Sequence, residues 1–358
     1  MNAYRKVKRA AAMIRSRGLG TLWNAVLTRY AQKRMPIRCP NQPSFAQIEI
    51  TTHCNLHCET CRGLIDEMGP QMQQSRHMSF DEFKKVMSRL PHVRWACLNG
   101  TGEPLLNPEL LLMIRYLSQR KVQVSFFTNA MLLKGKLAED LVESGLATLK
   151  FSIDAADPAV FESIRKGAKM AEVVENIRNF AALVNRCGRT TPALSVVTTV
   201  TKRNAGEIPE IVKLVHSMGV NVLQLKRMIP WTATLNDDRV SGEELESIHR
   251  AREIARGLDV RLGVGPLLNR QLAGARRDPG QRNRICTWPW TGTYVTVDGS
   301  VTPCCNLFDP DKIKLGNIFE DDFREIWNGP RIRQLRSQLK TTLPEICRLA
   351  CSADEESG

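Results

Sequence analysis

The chain has 358 residues, 42% hydrophobic and 25% charged, a composition typical of a folded globular protein with one or two domains. No run of about eighteen apolar residues and no signal-peptide core is present, so we expect neither a membrane span nor secretion, and predict a cytoplasmic location. The net charge is +14, but ten Lys and Arg residues precede residue 39 and the first acid is Glu49. This distribution indicates a local basic arm rather than a protein that is basic throughout.

Residues 1–44 form this basic arm. Apolar residues at helical spacing, such as Trp23 and Tyr30, predict two amphipathic helical pieces within residues 3–34, broken at "RGLG". One interpretation places these helices peripherally at the inner face of the membrane, where they would bring a membrane-resident ligand close to the domain that follows them. The alternative is that they pack on the outside of that domain and leave their cations in solvent.

Six strand–helix units are predicted within residues 45–257. The strands are "QIEITT", "RWACLNG", "VQVSFFTNA", "ATLKFSID", "ALSVVTTVT" and "VNVLQLKRM". Strands that alternate with helices through short turns predict an α/β fold, here a partial (β/α)6 TIM-like barrel. In such barrels the functional residues follow the C-terminal ends of the strands.

The composition changes after residue 257. Residues 258–285, which include the polar stretch "GARRDPGQRNR", are predicted to be a linker. Residues 286–358 form a second cysteine-containing domain, in which "TYVTVDGSVTP" predicts a hairpin that turns at Asp298-Gly299.

Three cysteines follow the first predicted strand, as Cys54, Cys58 and Cys61 in "CNLHCETC". A closed tetrahedral metal site has four ligands, so three thiolates on one loop leave a coordination position free for chemistry. Thiolates are the usual ligands of iron–sulfur clusters. The alternative is a zinc site completed by a distant ligand or by His53 or His57.

This trio at the end of a strand resembles the signature of the radical S-adenosylmethionine (radical SAM) family. The resemblance extends over about residues 45–230. It implies that the trio holds a [4Fe–4S] cluster whose open iron binds SAM, and that reductive cleavage of SAM yields a 5′-deoxyadenosyl radical. An electron donor such as flavodoxin or ferredoxin is implied as a partner.

Three further motifs resemble those of the family in the same order. "NGTGEPLL" (99–106) resembles its glycine-rich GGEP turn, "TNA" (128–130) its Thr-Asn-Gly turn, and "FSIDA" (151–155) its fourth-strand motif. The glycines would admit the methionine part of SAM, and the glutamate would pair with its ammonium group. The resemblance thus implies a cofactor-binding set of Gly100, Gly102, Glu103, Asn129, Ser152 and Asp154. An alternative role for Asp154 is a helix N-cap.

The C-terminal cysteines, together with "LGNIFEDDFREIW", resemble the SPASM/twitch extension of radical SAM enzymes. The resemblance implies one auxiliary [4Fe–4S] cluster held by Cys286, Cys304, Cys347 and Cys351, with Cys305 as an alternative to Cys304. A structural zinc site is the other interpretation of this set.

Cysteines outside the two groups are expected to be buried apolar residues, and this is the interpretation of Cys187. Cys97, on the second strand, is instead a candidate hydrogen-atom donor. Candidate substrate contacts on and after the sixth strand are Gln224, Lys226, Arg227 and Trp231.

The predicted function is that of a radical SAM oxidoreductase or epimerase. It would abstract hydrogen from a substrate carbon and dehydrogenate or epimerise a sugar-like or lipid-linked alcohol. The alternative is a peptide-modifying maturase, disfavoured because only about forty-five residues precede the barrel, too few for a leader-recognition domain. A basic, metal-stabilised nucleic-acid-binding protein is the rival class, but the confinement of charge to the arm argues against a nucleic-acid partner.

Overall fold

The computed structural model describes residues 3–59, 61, 75–228, 242–265, 268, 272, 286–342 and 344–350. No helix within this part of the chain is long and apolar enough to span a membrane.

Seven parallel strands, adjacent in sequence order, form the main part of a single ten-stranded sheet. They are β1 (Phe45–Ile48), β2 (Trp95–Cys97), β3 (Gln123–Thr128), β4 (Thr148–Ser152), β5 (Ala193–Val200), β6 (Val222–Arg227) and β7 (Arg261–Val264). The first six are the predicted strands, and the α/β class with a parallel, partial TIM-like sheet is confirmed. β7 was not predicted and falls within residues 258–285, so that segment continues the sheet before any linker begins.

Helices connect these strands and cover one face of the sheet. They are α2 (Phe80–Arg89), α3 (Leu110–Gln119), α4 (Gly135–Glu143), α5 (Pro158–Ile164), α6 (Met170–Arg186), α7 (Lys202–Ala205), α8 (Ile208–Ser217) and α9 (Gly242–Gly257). A capping box between Ser79 and Glu82 starts α2. Asp157 accepts hydrogen bonds from two backbone N–H groups at the start of α5, followed by a proline in its first turn. The N-cap of this helix is therefore Asp157 and not Asp154.

The C-terminal segment extends the same sheet. It contains α10 (Trp288–Thr291), β8 (Gly292–Val295), β9 (Ser300–Thr302), β10 (Gly316–Asn317), α11 (Phe323–Asn328), α12 (Pro330–Leu339) and α13 (Glu345–Ala350). β8 pairs in parallel with β1, and β9 and β10 follow in antiparallel order. The hairpin between β8 and β9 turns at Asp298-Gly299 as predicted, with Gly299 at φ +85°.

The arm forms one continuous helix, α1 (Ala3–Arg34), and not two pieces. Glycine in a helix costs about 1 kcal/mol relative to alanine, which is too little to break a helix held by tertiary contacts. Between residues 19 and 34, where its side chains are described, the buried ones are Thr21, Asn24, Thr28 and Ala31.

Helix α1 lies at the N-terminal ends of the strands. A side-chain carbon at Gly20 would lie 3.6 Å from His92, which precedes β2, and the Asn24 amide donates to Gln42 O, which precedes β1 (3.1 Å). The cysteine trio follows the other end of β1. The arm and the trio therefore lie at opposite ends of the sheet. The prediction that the arm delivers a membrane-bound substrate to a nearby barrel mouth is wrong for this reason.

Candidate active site

The loop that carries the trio is fixed by backbone contacts on both sides. His57 N–H donates to Lys166 O (2.9 Å), and Cys61 N–H donates back to Cys58 O (3.0 Å). Leu56 is buried and anchors the loop, while Gly167, at φ +94°, lets the chain after α5 pass close beneath it. The loop is therefore braced against the turn that follows α5.

The three thiols of this loop are close enough to repel one another when ionised. Cys54 is an exposed residue, yet desolvation of its thiol raises its pKa to about 11, and charge on Cys61 and Cys58 adds to this effect. Burial likewise raises the pKa of Cys58, an effect that the Arg165 guanidinium opposes. Thiolates gathered in this way are stabilised by a bound cationic centre, since metals bind the deprotonated form.

Glu103 is a buried carboxylate at the end of the second strand unit. It accepts hydrogen bonds from Thr128 Oγ1 (2.8 Å), from Asn129 N–H (2.8 Å) and from Leu105 N–H (3.1 Å). Burial nevertheless raises the pKa of Glu103 to about 7. Its position is coupled to the trio, because Glu103 N–H donates to His53 O (2.8 Å), and its charge acts on Cys54.

Two positions of this turn require glycine because the turn packs closely against neighbouring parts of the protein. A side-chain carbon at Gly102 would lie 2.5 Å from His53 O, and one at Gly100 would lie 2.1 Å from the Glu49 carboxylate. Larger residues at either position would push the turn away from the end of β1. The glycines therefore hold Glu103 beside the trio.

Asn129 joins this turn to the trio loop. Its side-chain amide donates to Asn55 Oδ1 (2.9 Å). The next residue, Ala130, has φ +61°, a left-handed conformation that favours glycine, which is the residue found in the family motif that this turn resembles.

Asp154 is held by an ion pair. Its Oδ2 accepts from Arg165 (2.6 Å) and its Oδ1 from Thr199 N–H (2.8 Å). Ser152 lies partly buried at the end of β4. Arg165, which sequence reasoning missed, is the buried cation beside Cys58 and Asp154, and its Nε has no hydrogen-bond partner among the described residues. The signal available in the sequence was an arginine eleven residues after Asp154, which by itself is too common to be informative.

The histidines of the alternative zinc site have other contacts in the structure. The His53 ring stacks on His77, with centroids 4.2 Å apart, and lies 3.2 Å from Ser75 Oγ. The backbone of His57 is hydrogen-bonded to the chain after α5.

Three of the C-terminal cysteines, Cys286, Cys304 and Cys305, interact although they come from separate segments. Burial raises the pKa of Cys304, and charge on Cys305 and Cys286 raises it further, which places these three thiols near one another. Cys305 also acts electrostatically on Cys97 and on Lys226, inside the barrel. Cys347 lies on α13, packed against the core, and Cys351 lies outside the described residues.

Two lysines meet at one aromatic ring on the inner face of the sheet. Lys150 Nζ lies 4.6 Å and Lys226 Nζ 4.8 Å from the Phe127 ring centroid. The Lys226 side chain reaches solvent, yet burial of its ammonium and the charge of Lys150 lower its pKa. Neither lysine forms an ion pair with a carboxylate in the described part of the chain.

The other candidate residues of the inner face have separate places. Cys97 is buried on β2, with Sγ 3.3 Å from Asn99 Oδ1, and burial raises the pKa of its thiol. Gln224 is partly buried on β6, two residues before Lys226, whereas Arg227 follows on the opposite side of the strand. Trp231 lies outside the described residues.

Cys187 is exposed at the C-terminal end of α6. The prediction that it is buried was therefore wrong. The isolated cysteine that is buried outside the barrel is Cys39.

The donor chemistry fits a thiolate-bound cluster, although within the described residues no group of three or more His, Cys, Asp or Glu side chains is positioned to hold a metal ion. Three thiols share one loop, the buried Glu103 carboxylate interacts with Cys54, and the buried Arg165 guanidinium, whose Nε has no hydrogen-bond partner among the described residues, interacts with Cys58 and Cys61. A ligand with both an ammonium and a carboxylate group complements these two charges.

A parallel, partial TIM-like barrel with a cysteine trio after β1 and a cysteine-containing extension defines a class of iron–sulfur enzymes. The radical SAM superfamily matches residues 48–215, and the SPASM iron–sulfur cluster-binding domain matches residues 286–352. The chain belongs to the radical SAM superfamily and carries a C-terminal SPASM domain. SAM and a [4Fe–4S] cluster are accordingly its cofactors, and the SPASM domain implies auxiliary iron–sulfur binding.

Several relatives of known function are similar over most of their length. A tungsten-containing aldehyde ferredoxin oxidoreductase cofactor-modifying protein of Pyrococcus furiosus is 25% identical, covering 85% of this chain and 86% of the relative. A PqqA peptide cyclase of Streptomyces rochei is 22% identical, covering 81% and 76%. The fold is similar to that of Streptococcus suis SuiB bound to its precursor peptide SuiA, with a TM-score of 0.67 and 16% identity, covering 88% of this chain and 71% of SuiB.

Proposed function

We propose that this radical SAM/SPASM enzyme modifies a peptide or a peptide-derived cofactor precursor. The relatives support this alternative better than the sugar-like or lipid-linked alcohol expected first from the sequence, since one is named as a peptide cyclase and SuiB was solved with a precursor peptide. The position of α1, far from the trio, also removes the main reason for a lipid-linked substrate.

The SAM site of this enzyme is inferred from the arrangement of charge around the trio. Cys54, Cys58 and Cys61 would hold the [4Fe–4S] cluster, which with bound SAM supplies a 5′-deoxyadenosyl radical. The buried Glu103 carboxylate would accept the SAM ammonium, and the free Nε of Arg165 would donate to its carboxylate.

The remaining residues of the predicted set would complete the SAM pocket. Gly100 and Gly102 keep the turn close to the trio loop, Asn129 joins that loop to the next turn, and Ser152 and Asp154 end the fourth strand. Asp154 would act by orienting Arg165, because its carboxylate is already engaged with that guanidinium.

Lys150 and Lys226 would bind an anionic group of the substrate. They share one ring at the inner face of the sheet and lack a carboxylate partner in the described residues, so a peptide carboxylate would neutralise two neighbouring cations. Acidic peptides are therefore the first substrates to examine.

Cys97 would supply a hydrogen atom to the substrate. Its raised pKa keeps the thiol protonated at neutral pH, as a donor must be. Transfer of H• from S–H to a substrate carbon radical leaves a thiyl group. One electron from a flavodoxin- or ferredoxin-type donor and one proton from water restore the thiol.

The test is anaerobic incubation of the reduced, cluster-reconstituted enzyme with SAM and either acidic peptides or sugar alcohols, with 5′-deoxyadenosine and product masses followed by mass spectrometry. We expect acidic peptides to stimulate deoxyadenosine formation and to be altered in mass. Stimulation by sugar alcohols alone would contradict the peptide proposal while leaving the cofactor site intact.

Two pairs of variants separate the substrate contacts from the cofactor site. Lys150→Gln with Lys226→Gln should raise KM for the acidic peptide about tenfold or more, since charged hydrogen bonds are lost. Lys213→Gln, an exposed lysine paired with Glu210, is the matched control. In D2O, Cys97→Ala should abolish solvent deuterium in the product, whereas Cys187→Ala should retain it.

A further inference from the structure

In the part of α1 whose side chains the structure describes, residues 19–34, a row of apolar side chains is exposed. Leu19 is 69%, Trp23 64% and Tyr30 50% exposed, and Val26 lies exposed between them. Their spacing of three and four residues aligns them along one side of the helix. A contiguous row of large exposed apolar side chains indicates an interaction surface, whereas single exposed apolar residues are common and need no explanation.

Specific polar contacts hold the opposite face of α1 against the protein. The Asn24 side chain donates to Gln42 O (3.1 Å) and accepts from Gln42 N–H (2.8 Å). Thr28 Oγ1 donates to Asn24 O (2.8 Å), and the Asn41 amide reaches Thr28 (3.4 Å). The rotation of the helix is therefore fixed by hydrogen bonds to the segment that follows it, and this rotation turns the apolar side outward.

The apolar surface extends beyond the helix. Ile37, shortly after α1, is 41% exposed, and Trp95, at the start of β2, is 48% exposed. The Arg94 guanidinium lies 4.7 Å from the Trp95 ring and interacts electrostatically with Arg29. Among the described residues, one other large apolar side chain is exposed, that of Leu112 on α3.

The positive charge of this region favours an anionic partner. Ten Lys and Arg residues and no acid occur in residues 1–38, and Arg29 and Lys33 are exposed beside the apolar row. A second copy of the chain would bring like charges together, which disfavours association. A lipid bilayer with anionic headgroups accepts both the apolar row, with its Trp and Tyr, and the cations.

We propose that the outward face of α1 docks the enzyme on an anionic membrane surface. Trp23 and Tyr30 would enter the headgroup region, and the basic residues of the helix would contact the lipid phosphates. Because α1 lies at the N-terminal ends of the strands, the cysteine trio and the barrel mouth would face away from the bilayer. The membrane would thus localise the enzyme, and its substrate would arrive from the aqueous side.

The test is flotation of the full-length, cluster-reconstituted protein with phosphatidylcholine vesicles, prepared with or without phosphatidylglycerol. We expect flotation with the anionic vesicles only, and its loss as salt screens the cations. Trp23→Ser with Tyr30→Ser should weaken binding on the order of tenfold for each side chain removed. Leu112→Ser is the matched control, since it removes an exposed leucine elsewhere, and all variants should retain SAM cleavage.

Three results would overturn the proposal. They are no flotation of the intact protein at low salt, equal flotation of the intact and doubly substituted proteins, and a concentration-dependent dimer that the double substitution dissociates. The last would assign the surface to a second copy of the chain. None of these outcomes bears on the catalytic proposal, because the barrel mouth lies at the other end of the sheet.

Discussion

The two cysteine groups of this protein are built in different ways. Cys54, Cys58 and Cys61 share one loop of eight residues, held by its own turn and by the chain after α5. Cys286 and Cys304 come from segments on either side of the β8–β9 hairpin, and Cys347 comes from a helix about forty residues further on. The first group depends on local backbone geometry, whereas the second exists only when the hairpin has joined the sheet.

A buried carboxylate connects the two regions. Glu49, at the end of β1, accepts from Thr101 N–H (2.8 Å) in the glycine-rich turn and from Val297 N–H (3.3 Å) in the β8–β9 turn. The same side chain lies where any substituent on Gly100 would be. The two cysteine groups thus have no cysteine in common but share one structural support.

The largest expected effect is the loss of SAM cleavage when the first cysteine group is removed. Replacing Cys54, Cys58 and Cys61 together by Ala should abolish SAM cleavage, because the cofactor would lose all of its ligands from the protein. Bound iron should fall by about four per chain, the content of one cube. Deoxyadenosine measured by mass spectrometry tests this, and its continued formation by the triple variant would remove the trio from the site.

Changes in the C-terminal group should act on a later step. Cys286→Ala with Cys304→Ala should leave SAM cleavage measurable but prevent product formation, with the loss of about four irons if these residues hold one auxiliary cube. Cys187→Ala, at an exposed cysteine, is the control. Unchanged iron content in the double variant would refute the ligand assignment.

Glu103 offers a test that combines charge and pH. Glu103→Gln should weaken SAM binding about ten- to a hundredfold, through loss of a charged hydrogen bond. Since burial raises the pKa of Glu103 to about 7, the carboxyl is neutral below that pH and ionised above it. SAM affinity of the unmodified protein should therefore fall as pH drops below about 7.

Affinity measured by calorimetry across this pH range gives the readout. The Glu103→Gln variant should lose the pH dependence, and Glu172→Gln, at an exposed glutamate paired with Lys134, should keep it. A parallel pH dependence in both variants would assign the titration to a different group.

The smallest expected effect distinguishes two adjacent cysteines. The two thiols interact with each other, but Cys305 also acts on Cys97 and Lys226 inside the barrel, whereas Cys304 also interacts with Cys286. Cys305→Ala should therefore retain the iron content and SAM cleavage, while Cys304→Ala should lose auxiliary iron. Loss of iron in Cys305→Ala would exchange the two assignments.

Sequence reasoning was most successful where the signal was local. Six parallel strands and the Asp298-Gly299 turn were predicted from short patterns of apolar and turn-forming residues. β7 was missed because it has only four residues, one of them glycine, which is too short an alternation to be recognised in a stretch interpreted as a linker. The break predicted in α1 failed because the small preference against glycine is outweighed by the contacts of Thr21, Asn24 and Thr28.

The spacing of the cysteine trio, the order of the strand-end motifs and the concentration of charge in residues 1–38 were determined by the sequence alone, because each is a pattern among residues near one another in the chain. Only the tertiary structure decided that Arg165 lies beside Cys58, that Lys150 and Lys226 meet at Phe127, and that α1 turns its apolar side outward. Those contacts join residues from separate elements, and the packing of the sheet sets their distances. Burial, which raises the pKa of Glu103 and leaves the Arg165 Nε without a hydrogen-bond partner among the described residues, likewise follows from that packing.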